Sequence, residues 1–398
     1  MTPQEAAAFA NQFANDDEID SLLVDLLRAP SPQTDLQEAD PNLKKFVGGF
    51  VAPRLEILTG SAAALDGMGN VLWQSGANNG EPGLLLMGYA MTFPAGGMKE
   101  PYSGAIVDGA QFGIAGSCAV GRGACEQKGA LAAMMYAAAI VARSQVKLRA
   151  SLYLAVSLAG ETGRHDAAKF ILENNRIAAK AGIVGLGTAN RICLGNKGRI
   201  DVEITVRGKS AHSSMPWDGI NAVDGARKVL ERLDRLALGN EHAGLGKATL
   251  TVTQIKSAPD ISHTVPDTCR ITLDRRLLPG DDPDAALRHI QDAVADLPPW
   301  SVEVTRGAFM YPSEVSPDCA VAAAVRRASR ALKGQDGEVF YSPAALDAGY
   351  LNQRGIETIM FGPGDLRFAH TDEEVVSLQE VRNAARVYAG LAPEMLAN

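Results

Sequence analysis

Three acidic or imidazole side chains stand where apolar runs give way to turns: Glu126 in GRGACEQKGALAAMM, Glu161 in VSLAGETGRHDAAKF and His370 in FGPGDLRFAHTDEE. Carboxylates and imidazoles ligate zinc, manganese and iron(II), and the same groups move protons as general acids and bases. Each also has an ordinary structural reading. Glu126 with Lys128 can be a charged turn before an apolar helix, Glu161 a helix cap, and His370 a solvated loop histidine. Their shared setting tells against coincidence, because open α/β sheets bind ligands at the carboxyl ends of their strands. His165, Asp166 and Arg367 flank these positions.

Such a cluster needs strands that end along one edge. PGLLLMGYAM and RASLYLAVSLAG are strand-like, whereas EQKGALAAMMYAAAIVARSQ and DAAKFILENNRIAAKA have helical composition. Their alternation predicts an α/β domain over residues 1–195, with a mainly parallel sheet and flanking helices. RIDVEITVRG then alternates polar and apolar residues, as a half-buried antiparallel strand does. A helix at NAVDGARKVLERLDRLAL follows, then strands ATLTVTQIKS and TCRITLDRRL, helix PDAALRHIQDAVADL and strand SVEVTRG. That βαββαβ order predicts an inserted, ferredoxin-like α+β module over 196–307. The α/β pattern resumes over 308–398 with DCAVAAAVRRASRAL, ETIMFGPG and a helix from Leu378, so the first domain is discontinuous.

At 398 residues the chain exceeds what one core usually serves. Its 38 Lys and Arg against 46 Asp and Glu give a net charge of -8. With no basic block, the balance argues against nucleic acid or an anionic membrane as partner, and a small molecule or a protein is expected instead. Five cysteines without CxxC spacing suit a reduced, cytoplasmic protein better than a disulfide framework or a cysteine zinc site. The acidic N-terminus has no signal-like start, and the apolar run Ala130 to Ala142 is too short to span a bilayer.

Together, MGYAMTFPAGG, GRGACEQKG, AGETG, GKSAHSSMPWDGINAV, VPDTCRITLDRRLLPGDD and FGPGDLRFAHTDEE make the chain resemble the aminoacylase/carboxypeptidase family of co-catalytic metallohydrolases. That family includes succinyl-diaminopimelate desuccinylase, acetylornithine deacetylase, aminoacylase and glutamate carboxypeptidase. The resemblance runs from about Asp66 to Glu374 and implies a two-metal hydrolase whose inserted module is a lid that usually dimerises. It implies that Glu126, Glu161 and His370 hold the second metal. It makes His212 a substrate contact, Arg276 a carboxylate-binding residue and Asp274 a local brace. His263 stands where relatives often have Asn and could donate to developing negative charge. Arg367 is a second candidate for the carboxylate.

The chain departs from that pattern at the first metal. Tyr89 and Met91 stand where relatives have His-x-Asp, Gly160 where they have the general-base Glu, and Leu186 where they have a Glu ligand. Every ligand exclusive to the first metal is gone, while those of the second remain chemically competent. One divalent ion, manganese or zinc, is therefore expected. Glu126, His165, His212 and Tyr89 are the candidates to move the proton. Tyr89, Met91 and Phe93 would form an apolar, partly aromatic wall against the substrate, or simply fill the space that lost ligands left.

The expected activity is hydrolysis of a carbon–nitrogen bond in a small carboxylate-bearing substrate. Loss of the general base disfavours peptide cleavage, and a 5-nitroanthranilate-type aromatic aminohydrolase is the narrowest candidate. Two other readings compete: a non-catalytic binding or assembly protein of the same fold, and a two-metal amidase with replacement ligands such as His165 or Asp166. A homodimer through the lid is expected, with RIDVEITVRG as a possible edge strand.

Overall fold

A computed structural model describes residues 1–398 except Asn78, Glu161, Asn240 and Asn398. The chain divides into two compact units. One comprises Met1–Gly195, Glu314–Tyr341 and Tyr350–Asn398; the other comprises Asn196–Ser313 and Ser342–Gly349.

The first unit is built on a sheet whose central strands are hydrophobic along their whole length, as strands covered on both faces must be. Gly83–Tyr89 is buried throughout and pairs in parallel with Leu152–Ser157 on one side and Ala179–Gly185 on the other. Glu357–Phe361 extends the parallel set beyond Ala179–Gly185. Antiparallel neighbours flank it: Val71–Ser75 beside Leu152–Ser157, and Ile192–Asn196 beside Glu357–Phe361. The sheet is thus mixed with a parallel centre, flanked by helices.

The Gly129–Ser144 helix is Ala- and Met-rich and buried nearly all round, so it serves as a core element rather than an amphipathic cover. The Leu378–Leu396 helix packs against it. A small antiparallel sheet, Val375–Ser377 beside Ser117–Val120 beside Ala105–Asp108, ties the end of the His370 loop to the segment preceding Glu126.

One expectation needs correcting. DAAKFILENNRIAAKA is not helical throughout: the helix is Asp166–Asn174, and Ala179–Gly185 is a central strand. Asn175 already has an extended backbone at the helix end, and the residues from Ala181 onward are buried in the sheet. Alanine's helix propensity yields there to pairing on both strand edges.

The second unit contains a four-stranded antiparallel sheet in the order Thr249–Ala258, Thr268–Leu277, Gly198–Arg207, Ser301–Met310. Helices Ala222–Leu233 and Pro283–Val294 share its core with Ile200, Val202, Ile204, Ile271 and Leu273. RIDVEITVRG is an interior strand, paired on both sides, and offers no edge. Thr249–Ala258 is an edge instead, largely exposed on both faces and carrying a bulge between Val252 and Gln254. Among the described residues, no helix is long and apolar enough to cross a membrane. All five cysteines are buried thiols outside any disulfide.

Candidate metal centre

Glu126 sits in a wide π turn, Ala124–Lys128, that opens into the Gly129–Ser144 helix. Single π turns of this kind recur at functional sites because they re-aim one side chain. The chain enters it through Gly123 at φ +83°, where an added Cβ would lie 2.4 Å from Thr92 Cγ2. Glycine is required there on both counts.

His370 follows the Leu366–Phe368 turn and has φ +61°, a left-handed conformation that costs a side-chain-bearing residue about 1–2 kcal/mol. Its Nε2 lies 2.9 Å from Glu126 Oε2. That oxygen is buried and makes no hydrogen bond, so the two atoms are close without the orientation a bond would need. Two ligand atoms facing a common point have this arrangement. A buried carboxylate oxygen without a hydrogen bond is costly unless a cation satisfies it, so the residues present fit a metal ion. Glu161, the third expected ligand, lies outside the described residues. Among those described, no three His, Cys, Asp or Glu side chains form a metal-binding group.

A buried ion pair locks the Glu126 turn to the segment that follows His370. Glu374, four residues after His370, is fully buried; its Oε2 accepts from Arg122 Nη1 at 3.0 Å and from Gly123 N at 2.9 Å, and its Oε1 from Cys125 N at 3.3 Å. Burial pushes the Glu374 carboxyl above its ordinary range and outweighs the Gly123 hydrogen bond and the Arg122 charge, which pull it down. Arg122 Nη2 also donates to Ala95 O at 2.8 Å. Behind the turn, the Lys128 Nζ donates to Ala29 O at 2.7 Å, and complete burial lowers its pKa to about 7. The sequence reading did not single out Arg122 or Glu374 for this role. The signal available was a lone arginine between glycines in GRG and an apolar Val-Val following the acidic run.

The position expected for a first metal is differently furnished. Tyr89 is 3% exposed and Met91 is fully buried in the main core, so Met91 presents no surface to a substrate in this structure. An added Cβ on Gly160 would lie 2.5 Å from Tyr89 Cδ1 and 2.8 Å from Cγ. The tyrosine ring therefore occupies space that any larger residue at 160 would need. Leu186 is buried, beside a Gly187 N that donates to Glu126 O at 3.3 Å. Phenol, thioether, glycine and leucine are not the donor set of a hard divalent ion, so the residues here do not fit a second one.

The remaining candidates are dispersed. Phe93 stacks on His370, with ring centroids 3.9 Å apart. His165 is buried at the start of the Asp166–Asn174 helix, 5.4 Å from the Tyr350 ring. Arg367 is exposed, bridged to Asp365 at 3.2 Å and lying over the Phe368 ring.

In the second unit, His212 and His263 are exposed with ring centroids 6.0 Å apart. His212 Nδ1 accepts from Ser214 N at 3.2 Å, which places the proton of the neutral ring on Nε2 and makes that edge a donor. Arg276 is held by Asp274 through two bonds of 2.7 and 3.0 Å, in keeping with Asp274 as its brace. Asp274 also meets Arg199 at 3.3 Å.

Residues 92–394 match the model of Peptidase family M20/M25/M40. The chain belongs to this family. Its members are metal-dependent hydrolases acting on amide and peptide carbon–nitrogen bonds. The chain is 27% identical over 351 residues to an acetylornithine deacetylase of Myxococcus xanthus, covering 86% of this chain and 87% of that one. In fold it is similar to an M20 family metallo-carboxypeptidase of Sulfolobus solfataricus, with a TM-score of 0.75 at 18% identity over 95% of this chain and 100% of that one. It also resembles a dinuclear metal-binding M20 peptidase of Bacillus subtilis, with a TM-score of 0.68 at 15% identity over 98% of this chain and 99% of that one.

Proposed function

We propose that this M20 family protein hydrolyses a carbon–nitrogen bond in a small carboxylate-bearing substrate, using one divalent ion, zinc or manganese. The observation that carries this reading is the buried Glu126 Oε2, without a hydrogen bond and 2.9 Å from His370 Nε2. Glu126 and His370 would hold the ion, with Glu161 as third ligand. The ion would supply Lewis acidity and acidify bound water. His212 would orient the substrate through its Nε2–H, and Arg276 would bind the carboxylate with the donors Asp274 leaves available. The partly exposed Phe93 ring beside His370 favours a planar substrate, and an aromatic amine of the aminobenzoate class is the narrower candidate. We further propose that the protein works in the cytoplasm as a homodimer joined through the second unit, for which Thr249–Ala258 supplies an exposed edge.

Elemental analysis of protein purified without chelator tests the central point, in wild type and in Glu126→Gln. The expected result is about one equivalent of zinc or manganese per chain, lost in the variant, with turnover of an N-acyl amino acid or an aminobenzoate lost in parallel. Two equivalents in wild type would overturn the one-ion reading in favour of a conventional two-metal amidase. No metal in either protein would overturn the hydrolytic reading in favour of a binding protein.

A further inference from the structure

His370 is an awkward residue from which to hang a ligand. Its backbone is left-handed and its side chain is 42% exposed, yet its Nε2 must stay aimed at Glu126 Oε2. The Phe93 ring lies nearly parallel to the imidazole, at 13° and 3.9 Å between centroids, and so covers one of its faces. Phe93 is itself braced: the Arg122 Cζ lies 5.7 Å from its centroid, and Arg122 is fixed by Glu374 and by the carbonyl of Ala95, two residues beyond Phe93. Glu374 in turn accepts from Gly123 N and Cys125 N, in the turn that carries Glu126. The contacts form a closed circuit, from Glu126 through His370, Phe93, Arg122 and Glu374 back to the Glu126 turn.

We infer that Phe93 is a positioning residue for the ion site. Its ring sets the plane of the His370 imidazole, so that Nε2 and Glu126 Oε2 face the same point before an ion arrives. A ligand already held in its bound orientation loses less freedom on binding, and groups that orient ligands from behind are typically worth ten- to a hundredfold in metal affinity. Stacking also suits the bound state, because an imidazole polarised by a cation is attracted more strongly to the face of a phenyl ring.

The inference rests on the one-ion reading above, and a single titration separates the two. Full-length protein stripped with chelator is titrated with Zn2+ against a chromophoric competitor, in wild type, Phe93→Leu and Phe93→Tyr. The expected result is affinity about tenfold weaker in Phe93→Leu at unchanged stoichiometry, and close to wild type in Phe93→Tyr, which keeps the ring. The metal-free melting temperatures of the two variants are expected to agree, since a purely packing role would appear there instead. Equal affinity in wild type and Phe93→Leu, or equal weakening in Phe93→Leu and Phe93→Tyr, would overturn the inference and leave the one-ion reading standing. A wild type that takes up neither Zn2+ nor Mn2+ in the same titration would overturn both.

Discussion

The contact between Tyr89 and Gly160 can be tested by a double-mutant cycle. Gly160 is not among the residues with positive φ, so alanine meets no backbone objection and its whole cost must come from contact. The added Cβ would stand 2.5, 2.8 and 3.1 Å from Tyr89 Cδ1, Cγ and Cε1. Carbon pairs rest at about 3.5–4.0 Å, so the ring would have to move by about 1 Å. It has little room, because Tyr89 ends a strand paired on both sides and is 3% exposed. Overpacking of this kind costs about 1–3 kcal/mol. Urea unfolding of wild type, Gly160→Ala, Tyr89→Ala and the double variant measures it. Tyr89→Ala alone is expected to lose about 3–5 kcal/mol by leaving a cavity, and in that background Gly160→Ala is expected to cost nothing or to recover a little. The coupling should therefore be about 1–3 kcal/mol. Equal costs of Gly160→Ala in both backgrounds would refute the reasoning.

Two further expectations concern buried charge. Glu374→Gln keeps the side chain's shape but leaves the Arg122 guanidinium buried without its counter-charge, and should lower unfolding free energy by about 3–5 kcal/mol in a denaturant titration. Glu380, whose carboxylate accepts from Gly364 N at 2.8 Å, has a pKa raised chiefly by burial. A carboxyl with a higher pKa folded than unfolded binds more protons in the native state, so its contribution to stability is lost as pH rises from the ordinary glutamate range through the raised value. Unfolding measured across mildly acidic pH should show that decline, and Glu380→Gln should flatten it.

Much of the architecture was legible because it is periodic. The alternation in RIDVEITVRG and TCRITLDRRL, and the apolar runs around Leu84 and Leu154, report burial directly. The segment from Ala179 was misread because alanine and lysine carry helical composition while the strand's parallel neighbours are distant in sequence. The same distance hid which strand of the second unit lies at the edge, since alternation reveals the buried face and says nothing of partners. At the candidate centre, residue types at strand ends pointed to Glu126 and His370, which the fold brings together. What could not be read was the packing that arms them. Nothing in the spacing links residue 93 to 370, 122 to 374 or 89 to 160, because those contacts depend on where three separate turns meet.

The interlock of tyrosine ring and glycine also bears on the history open to this lineage. A mutation giving residue 160 a side chain while Tyr89 remains meets a clash, and one that removes the ring while Gly160 remains leaves a void. Either single step is uphill in stability, so a change at one of the two positions is tolerated best together with a change at the other. Such mutual dependence acts as a ratchet: with both residues in place, selection on stability alone would keep the pair together, whatever reaction the protein carries out.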